Sequence, residues 1–397
     1  MIVGPAFIVT GGRAPQVLED GGVRVVGAHI AQVARIATLA ASHPEETLWP
    51  ARGRVLMPGL VNTHVHLARH LARGLETRGA IDWRQYDRAL APEDVYWSSM
   101  ASMVEGVKYG ITTFCDLHRS EGCLDLSLSE VTGAAARLGV RVATGYAAAE
   151  GDTPDERAAA RRESLSLAAE LRHRRHGRLR GLAALRATSM TGLGLLMEET
   201  LESVEDDMPL HVELDLQGAP RAGLVPHRGP GGPTLWAHAE TAPASLAESA
   251  RARGDVMSAS EAHAGSGSEE FAWGSDAALN APPLPASTAS GAEADAYYRR
   301  VWVNGAEWAA HHFGDGLGLV EPGAPADLVL IDYGPPTPFD GRTLAGHLVG
   351  GLARARVSGV MVAGEIVMDH GQLVTVDEVE VAARARECAQ RLWAKLG

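Results

Sequence analysis

The chain has 397 residues, with 36 Lys+Arg against 49 Asp+Glu for a formal net charge of −13, and it is 46% hydrophobic and 21% charged. That is an ordinary globular composition, long enough for one large catalytic domain with an accessory unit. The acidic balance argues against nucleic acid or an anionic membrane surface as partner, and no apolar run approaches the roughly 20 residues of a spanning helix. Three cysteines (Cys115, Cys123, Cys388) cannot build a disulfide framework. MIVGPAFIVTGGR carries no basic n-region and h-region, so no secretory signal is read and a cytoplasmic location is expected. Only two of the basic residues are lysines, Lys108 and Lys395. Neither has the Gly-Lys-Ser/Thr context of a P-loop, and neither is placed for a Schiff base or a lysine-bridged pair of metals.

In chain order, FIVTGG and GGVRVVGAHIAQVA read as short strands with Gly-Gly breaks. The middle supplies eight short apolar runs: 57–66, 111–118, 140–148, 180–189, 209–215, 233–239, 255–260 and 270–277. Helical patterns separate most of them. The clearest runs from Thr153 to about His176, where Thr153-Pro154-Asp155-Glu156 provides an N-cap, a first-turn proline and a capping-box Glu. The basic cluster 172–180 that follows fits a helix C-terminus better than a nucleic-acid patch. Eight strands over this length predict a (β/α)8 TIM barrel. It is trimmed or irregular after strand five (216–232) and strand seven (EAHAGSGSE), where Gly, Pro and Ser exclude a helix. ADLVLIDY and VSGVMVAGEIVMDHGQLV return to the texture of the N-terminus, and a helix from Asp377 to Leu396 closes the chain. The predicted division is 1–56 and 319–397 as the two parts of a small composite β-sandwich, and 57–318 as the barrel.

Asn62-Thr63-His64-Val65-His66 ends the first barrel strand. Residues two apart on a strand share a face, so His64 and His66 can offer two imidazoles to one ion. His118 ends the second strand, His211 lies in the fifth, His238 ends the sixth and Asp276 ends the eighth, and barrel active sites form at those C-terminal ends. His211 therefore reads as a third nitrogen ligand and Asp276 as a carboxylate ligand that can also act as general base. His238 is placed to orient the attacking hydroxide or polarise the substrate. A metal ion there lowers the pKa of water toward about 7. HExxH, CxxC pairs, GxSxG and the H-x-E…P-C-x-x-C deaminase pattern are all missing.

RVLMPGLVNTHVHL, YGITTFCDLH, LHVEL, LWAHAET, GSDA and VEPGAPADLVLIDY, in that order, resemble the amidohydrolase superfamily. The similarity is to its branch of ring deaminases and chlorohydrolases, and within it to SsnA-type aminohydrolases. The resemblance implies a barrel with a composite sandwich and one divalent ion, zinc first and iron second, held by His64, His66, His211 and Asp276. It makes His238 the residue that meets hydroxide and substrate, Asp276 the proton shuttle, and His118 a substrate-side histidine of that branch. A small-molecule substrate and no nucleic-acid or membrane partner are expected, with a homodimer left open. The branch carries His-x-x-Glu after the fifth strand, whereas here the text is His211-Val212-Glu213-Leu214-Asp215. Glu213 or Asp215 is the substitute, with the pleat expected to turn Glu213 away if the strand continues. Thr241 stands where a second histidine follows His238, and SASEAHAGSG replaces the loop after strand seven. The expected activity is hydrolytic deamination of an amino-substituted heterocycle. Two alternatives are hydrolysis of a C–Cl or cyclic amide bond, and a barrel that has kept its fold and lost its chemistry.

Overall fold

The computed structural model describes residues 1–174, 176–204, 208–216, 231–259, 270–276 and 280–397. Strands from both ends of the chain build one nine-stranded sheet. The N-terminal part supplies β1 (Ile2–Val9), β2 (Val17–Val26), β3 (His29–Arg35), β4 (Leu48–Pro50) and β5 (Val55–Pro58). β1 pairs antiparallel with β2 and parallel with β4 and β5. The barrel strands are β6 (Leu60–Val65), β7 (Ile111–His118), β8 (Arg141–Ala149), β9 (Leu179–Gly181), β10 (Ala183–Ala187), β11 (Leu210–Leu214), β12 (Leu235–Ala237), β13 (Val256–Ala259) and β14 (Phe271–Trp273). The chain then returns to the first sheet with β15 (Leu328–Ile331), β16 (Val357–Val362), β17 (Glu365–Asp369) and β18 (Gln372–Leu373), each antiparallel to its neighbour.

The two ends meet where β15 pairs antiparallel with β5, Leu328 opposite Pro58 and Ile331 opposite Val55. Alternating apolar positions (Val3, Ile8, Val23, Val25, Leu56, Leu328, Leu330, Met361) then share one buried core with Trp49. Both ends of the chain thus contribute strands to a single sheet with one shared core. Two hairpin turns of this sheet meet at Ala326, just ahead of β15: Ala326 N–H donates to the Ala28 carbonyl (2.8 Å) and Gly364 N–H to the Ala326 carbonyl (3.0 Å). Ala363 and Gly364 turn the β16–β17 hairpin with φ of 49° and 78°, the paired positive φ of a tight primed turn. A Cβ on Gly364 would sit 2.0 Å from the Gly27 carbonyl oxygen, so only glycine fits.

All eight predicted barrel strands form and run parallel in sequence order from β6 to β14. The fourth is broken at Leu182 into β9 and β10, both pairing with β8. Nearly every residue of β6, β7 and β8 is buried, as expected for strands covered on both faces. The barrel closes between its last and first strands at a bridge from Val65 to Asp276. The predicted capping box exists: Glu156 N–H donates to Thr153 Oγ1 (3.3 Å) and Thr153 N–H to Glu156 Oε2 (2.7 Å), and the helix spans Pro154–His173, three residues short of the expected end. The last helix, Glu378–Leu396, starts on an Asp377 cap that accepts from Val379 N–H at 2.8 Å. The readings of trimming after strands five and seven fall on 217–230 and 260–269, outside the described residues, as does most of the replaced loop SASEAHAGSG.

Arg141 at the base of β8 makes two 2.8 Å bonds to Asp327, whose Oδ1 also accepts from Ala363 N–H, so a buried ion pair ties the barrel to the sheet. From the basic cluster, Arg178 pairs with Glu365 and Arg180 donates to the carbonyls of His312, His176 and Leu179, uses internal to the fold. Lys108 pairs with Glu378 and Lys395 donates to the Ala89 carbonyl. Among the described residues no helix is long and apolar enough to cross a membrane.

Candidate metal centre

β6 departs from regular register with β7 between Asn62 and Val65, where the two histidines emerge. Asn62 anchors that end: its Nδ2 donates to Ser275 Oγ (2.8 Å) and Asn280 Oδ1 (2.9 Å), and its Oδ1 accepts from Ser275 N–H. The Asp276 N–H donates to the His64 carbonyl (3.0 Å) and the His66 N–H to the Asp276 carbonyl (3.2 Å). This backbone exchange brings the Asp276 carboxylate over both rings, with Oδ1 at 3.4 Å from His66 Nε2 and 3.8 Å from His64 Nε2. One donor atom from each of His64, His66 and Asp276 lies within 4.8 Å of the other two. A second such group is His64, Glu213 and His238. His211 joins through Nε2, 3.1 Å from His64 Nδ1.

Asp276 and His238 sit at φ 57° and 52°, the left-handed region that costs a non-glycine residue about 1–3 kcal/mol and recurs at functional sites. Four buried donor atoms have no hydrogen bond: His64 Nε2, His66 Nε2, His211 Nδ1 and Glu213 Oε2; His211 itself lies beside His64 and in neither group. Each such atom costs about 1–3 kcal/mol if left unsatisfied. Imidazole nitrogens and carboxylate oxygens gathered in this way fit a divalent cation.

The electrostatics favour the ligating forms. Burial first, then the imidazoles of His66, His211 and His238, hold the pKa of His64 well below its ordinary value. Burial, reinforced by His66 and His238, pushes His211 down to about 3. Both rings are therefore neutral near pH 7, as metal binding requires. His66 Nδ1–H donates to the Leu117 carbonyl at 2.8 Å, which leaves Nε2 as the free lone pair. Burial alone would raise Asp276, but His66, then His238 and Arg69, outweigh it and hold the carboxyl well below the carboxylate range. Burial also opposes charge on His238; Glu240, Asp276 and Glu213 together overcome it and lift the imidazole to about 9.

The other predicted residues are placed as follows. His118 is 0% exposed, its Nε2 bonded to Ser120 Oγ at 2.8 Å and its Nδ1 3.9 Å from Asp116. It therefore lies behind the cluster and presents no free surface. Burial first, then His66, Arg69 and Arg119, push it down to about 3. Glu213 corrects an expectation. Residues 211 and 213 share a face of β11 because the pleat has period two, so the continuing strand points Glu213 inward beside His211. Its Oε2 is 3.8 Å from His66 Nε2, and the residue is 4% exposed. Thr241 turns back on its own loop, its hydroxyl donating to the His238 carbonyl at 2.8 Å.

Sequence reasoning missed three supporting groups. Arg186 on β10 stands directly opposite Glu213 in the parallel register; counting inward positions on adjacent strands would have found it. Asp116 accepts from Leu67 N–H (2.9 Å) and Thr144 Oγ1 (2.7 Å), fixing the turn that follows His66. Arg69 is 4% exposed, bonds Asp87 at 3.0 Å and lies 4.5 Å over the Trp83 ring.

Residues 55–217 match the model of the Amidohydrolase family. Similar curated proteins include the 5-methylthioadenosine/S-adenosylhomocysteine deaminase of Haloarcula marismortui, 26% identical, with 86% of this chain and 88% of the relative covered. The enzyme of the same name from Pelotomaculum thermopropionicum is 23% identical, with 99% and 98% covered. Among solved structures, the zinc complex of an atrazine chlorohydrolase from Arthrobacter aurescens superposes with a TM-score of 0.70 at 19% identity, covering 98% of this chain and 99% of that one. An adenosine deaminase from Xanthomonas campestris with bound zinc gives 0.68 at 19%, covering 99% and 98%. At these identities the solved structures show a common fold.

Proposed function

We propose, from the match of residues 55–217 to the Amidohydrolase family model, a metal-dependent hydrolase of non-peptide C–N bonds that deaminates an amino-substituted heterocycle. The observation that carries the proposal is the group of His64, His66 and Asp276 at the C-terminal mouth of the barrel, with donor atoms within 4.8 Å of one another and the Nε2 of both rings without a hydrogen bond. His64, His66, His211 and Asp276 would hold one divalent ion, zinc before iron. When bound, the ion supplies Lewis acidity, which makes water a competent nucleophile near neutral pH.

The chain's own groups then handle protons and orientation. Asp276 Oδ1, 3.4 Å from His66 and 3.9 Å from His238, takes a proton from the attacking water as the C–O bond forms at the ring carbon. It passes that proton to the amino nitrogen as the C–N bond breaks, so ammonia leaves and the ring becomes an oxo compound. His238, at the edge of the cluster with its side chain 18% exposed, meets the substrate and donates to the oxygen that becomes the oxo group. Glu213 is the remaining inward carboxylate, and His118 supports the substrate side from behind His66. Relatives named as deaminases cover nearly the whole chain, which favours a working enzyme over a barrel without chemistry.

The test has two parts. Metal content by plasma mass spectrometry is expected near one equivalent of zinc or iron in the wild type and to be lost in the His64→Ala/His66→Ala double variant. Ammonia release is then screened over aminopurines, including 5′-thioether adenine nucleosides, aminopyrimidines and triazines. The second reading, C–Cl hydrolysis, draws on the chlorohydrolase neighbour. It would appear as chloride without ammonia. A chain that binds metal yet releases neither would refute the proposed chemistry.

A further inference from the structure

Arg186 bridges two carboxylates at the mouth of the barrel. Its Nη2 donates to Asp215 Oδ2 at 3.0 Å, and its Nε lies 3.3 Å from Glu213 Oε1. The guanidinium comes from β10, the glutamate from β11, and their backbones are paired in register. The contact therefore follows from strand alternation and not from a loop conformation. It engages one oxygen of Glu213 and leaves the other, Oε2, buried and without a hydrogen bond. That oxygen is 3.8 Å from His66 Nε2. It also belongs to a residue grouped with His64 and His238 as cation donors.

A carboxylate with one oxygen in an ion pair with a guanidinium, and the other buried beside the His66 Nε2, is placed to offer a lone pair to a cation. We propose that Glu213 is a further donor to the divalent ion, and that Arg186 is the positioning residue that orients it. The inference rests on the metal-dependent reading above and deepens it. Where the ring deaminases it resembles place a proton-delivering acid after the fifth strand, this chain places a carboxylate paired with Arg186, in the way outer partners hold metal ligands.

Zinc affinity of the full chain, measured by competition with a chromophoric chelator, tests this without reference to turnover. Glu213→Gln is expected to weaken zinc by about 100-fold and Arg186→Met by about 10-fold, the range found when partners of metal ligands are removed. The double variant supplies the decisive readout. If Arg186 acts through Glu213, then Arg186→Met changes zinc affinity little in the Glu213→Gln background, whereas independent effects would multiply. Arg186→Lys, which keeps a charge but loses the planar fork, is expected to restore only part of the affinity. Thermal unfolding of the chelator-treated proteins identifies any variant that fails to fold, and Glu213→Asp then serves as the milder change, with the same direction expected. Zinc bound by the wild type with unchanged affinity in Glu213→Gln overturns this inference alone. A wild type that takes up no divalent ion overturns it together with the proposed function.

Discussion

Gly274 lies in the seam between the last and first barrel strands, and replacing it by alanine is the sharpest test of how the centre is held. A Cβ there would fall 2.8 Å from His64 Cβ, 3.0 Å from the His64 backbone nitrogen and 2.7 Å from Ser258 Oγ. None of these neighbours is the loose end of a long side chain. Ser258 Oγ is 2.7 Å from Thr63 Oγ1, which itself donates to the Trp273 carbonyl at 2.7 Å. His64 is additionally tied by its carbonyl to Asp276 N–H. The added methyl must therefore push His64 outward or part the seam. Overpacking of this kind costs about 1–3 kcal/mol, which for a chain of this size lowers Tm by about 2 °C per kcal/mol. Ligand distances tolerate only about 0.2 Å, so zinc affinity is expected to fall by about 10-fold or more. The assay is thermal unfolding of chelator-treated protein together with zinc competition. Gly291→Ala serves as the control, because a Cβ at Gly291 meets nothing within 4 Å. Gly274→Ala with the Tm and zinc affinity of the wild type would refute the reasoning.

Three further outcomes are expected. Asp327→Ala leaves Arg141 buried and uncompensated between barrel and sheet, and should cost about 3–5 kcal/mol in denaturant unfolding; a loss under 1 kcal/mol would mean that water rescues the guanidinium. Thr153→Ala removes the side-chain half of the capping box, the Oγ1 that accepts from Glu156 N–H, and keeps the backbone half; it should cost about 1 kcal/mol, with Thr153→Ser keeping most of the stability. His118, neutral in the fold down to about pH 3, takes a proton in the unfolded chain near pH 6.5. Its contribution is therefore complete above that value and lost as pH falls from about 6.5 toward 3. His118→Gln should flatten the acid limb of the stability profile in that window, and an unchanged slope would count against a buried neutral ring.

Much of this was legible because strand periodicity carries it. Eight apolar runs located eight strands, and a two-residue spacing put His64 beside His66. The same period should have placed Glu213 inward with His211, and that expectation failed only because adjacency in sequence was read as opposition across the pleat. What the text could not carry was register between strands. Arg186 meets Glu213 because β10 and β11 align residue for residue, an alignment set by packing and not by either segment alone. The break at Leu182 was hidden for a related reason. The Leu182 N–H bonds the Thr144 carbonyl on the neighbouring strand (2.8 Å), so only the partner reveals where the run divides. His118 ends the second strand as its position suggested, while its burial depends on Tyr146 and Ser120, which pack around it from outside the run.

The seam at Asp276 also bears on how the protein comes to be assembled. β14 has three residues, and the barrel is closed beyond it by the two backbone bonds that Asp276 exchanges with His64 and His66. The residues that would grip the ion are therefore the ones that latch the cylinder shut. An ion gripping both sides of that latch would favour the closed form by RT ln(1 + [M]/Kd), about 4 kcal/mol at a thousandfold excess over Kd. Docking of the last strand and capture of the metal then become a single equilibrium. On the proposed reading, the stability of the closed barrel should rise with zinc concentration, which thermal unfolding across a zinc titration would show.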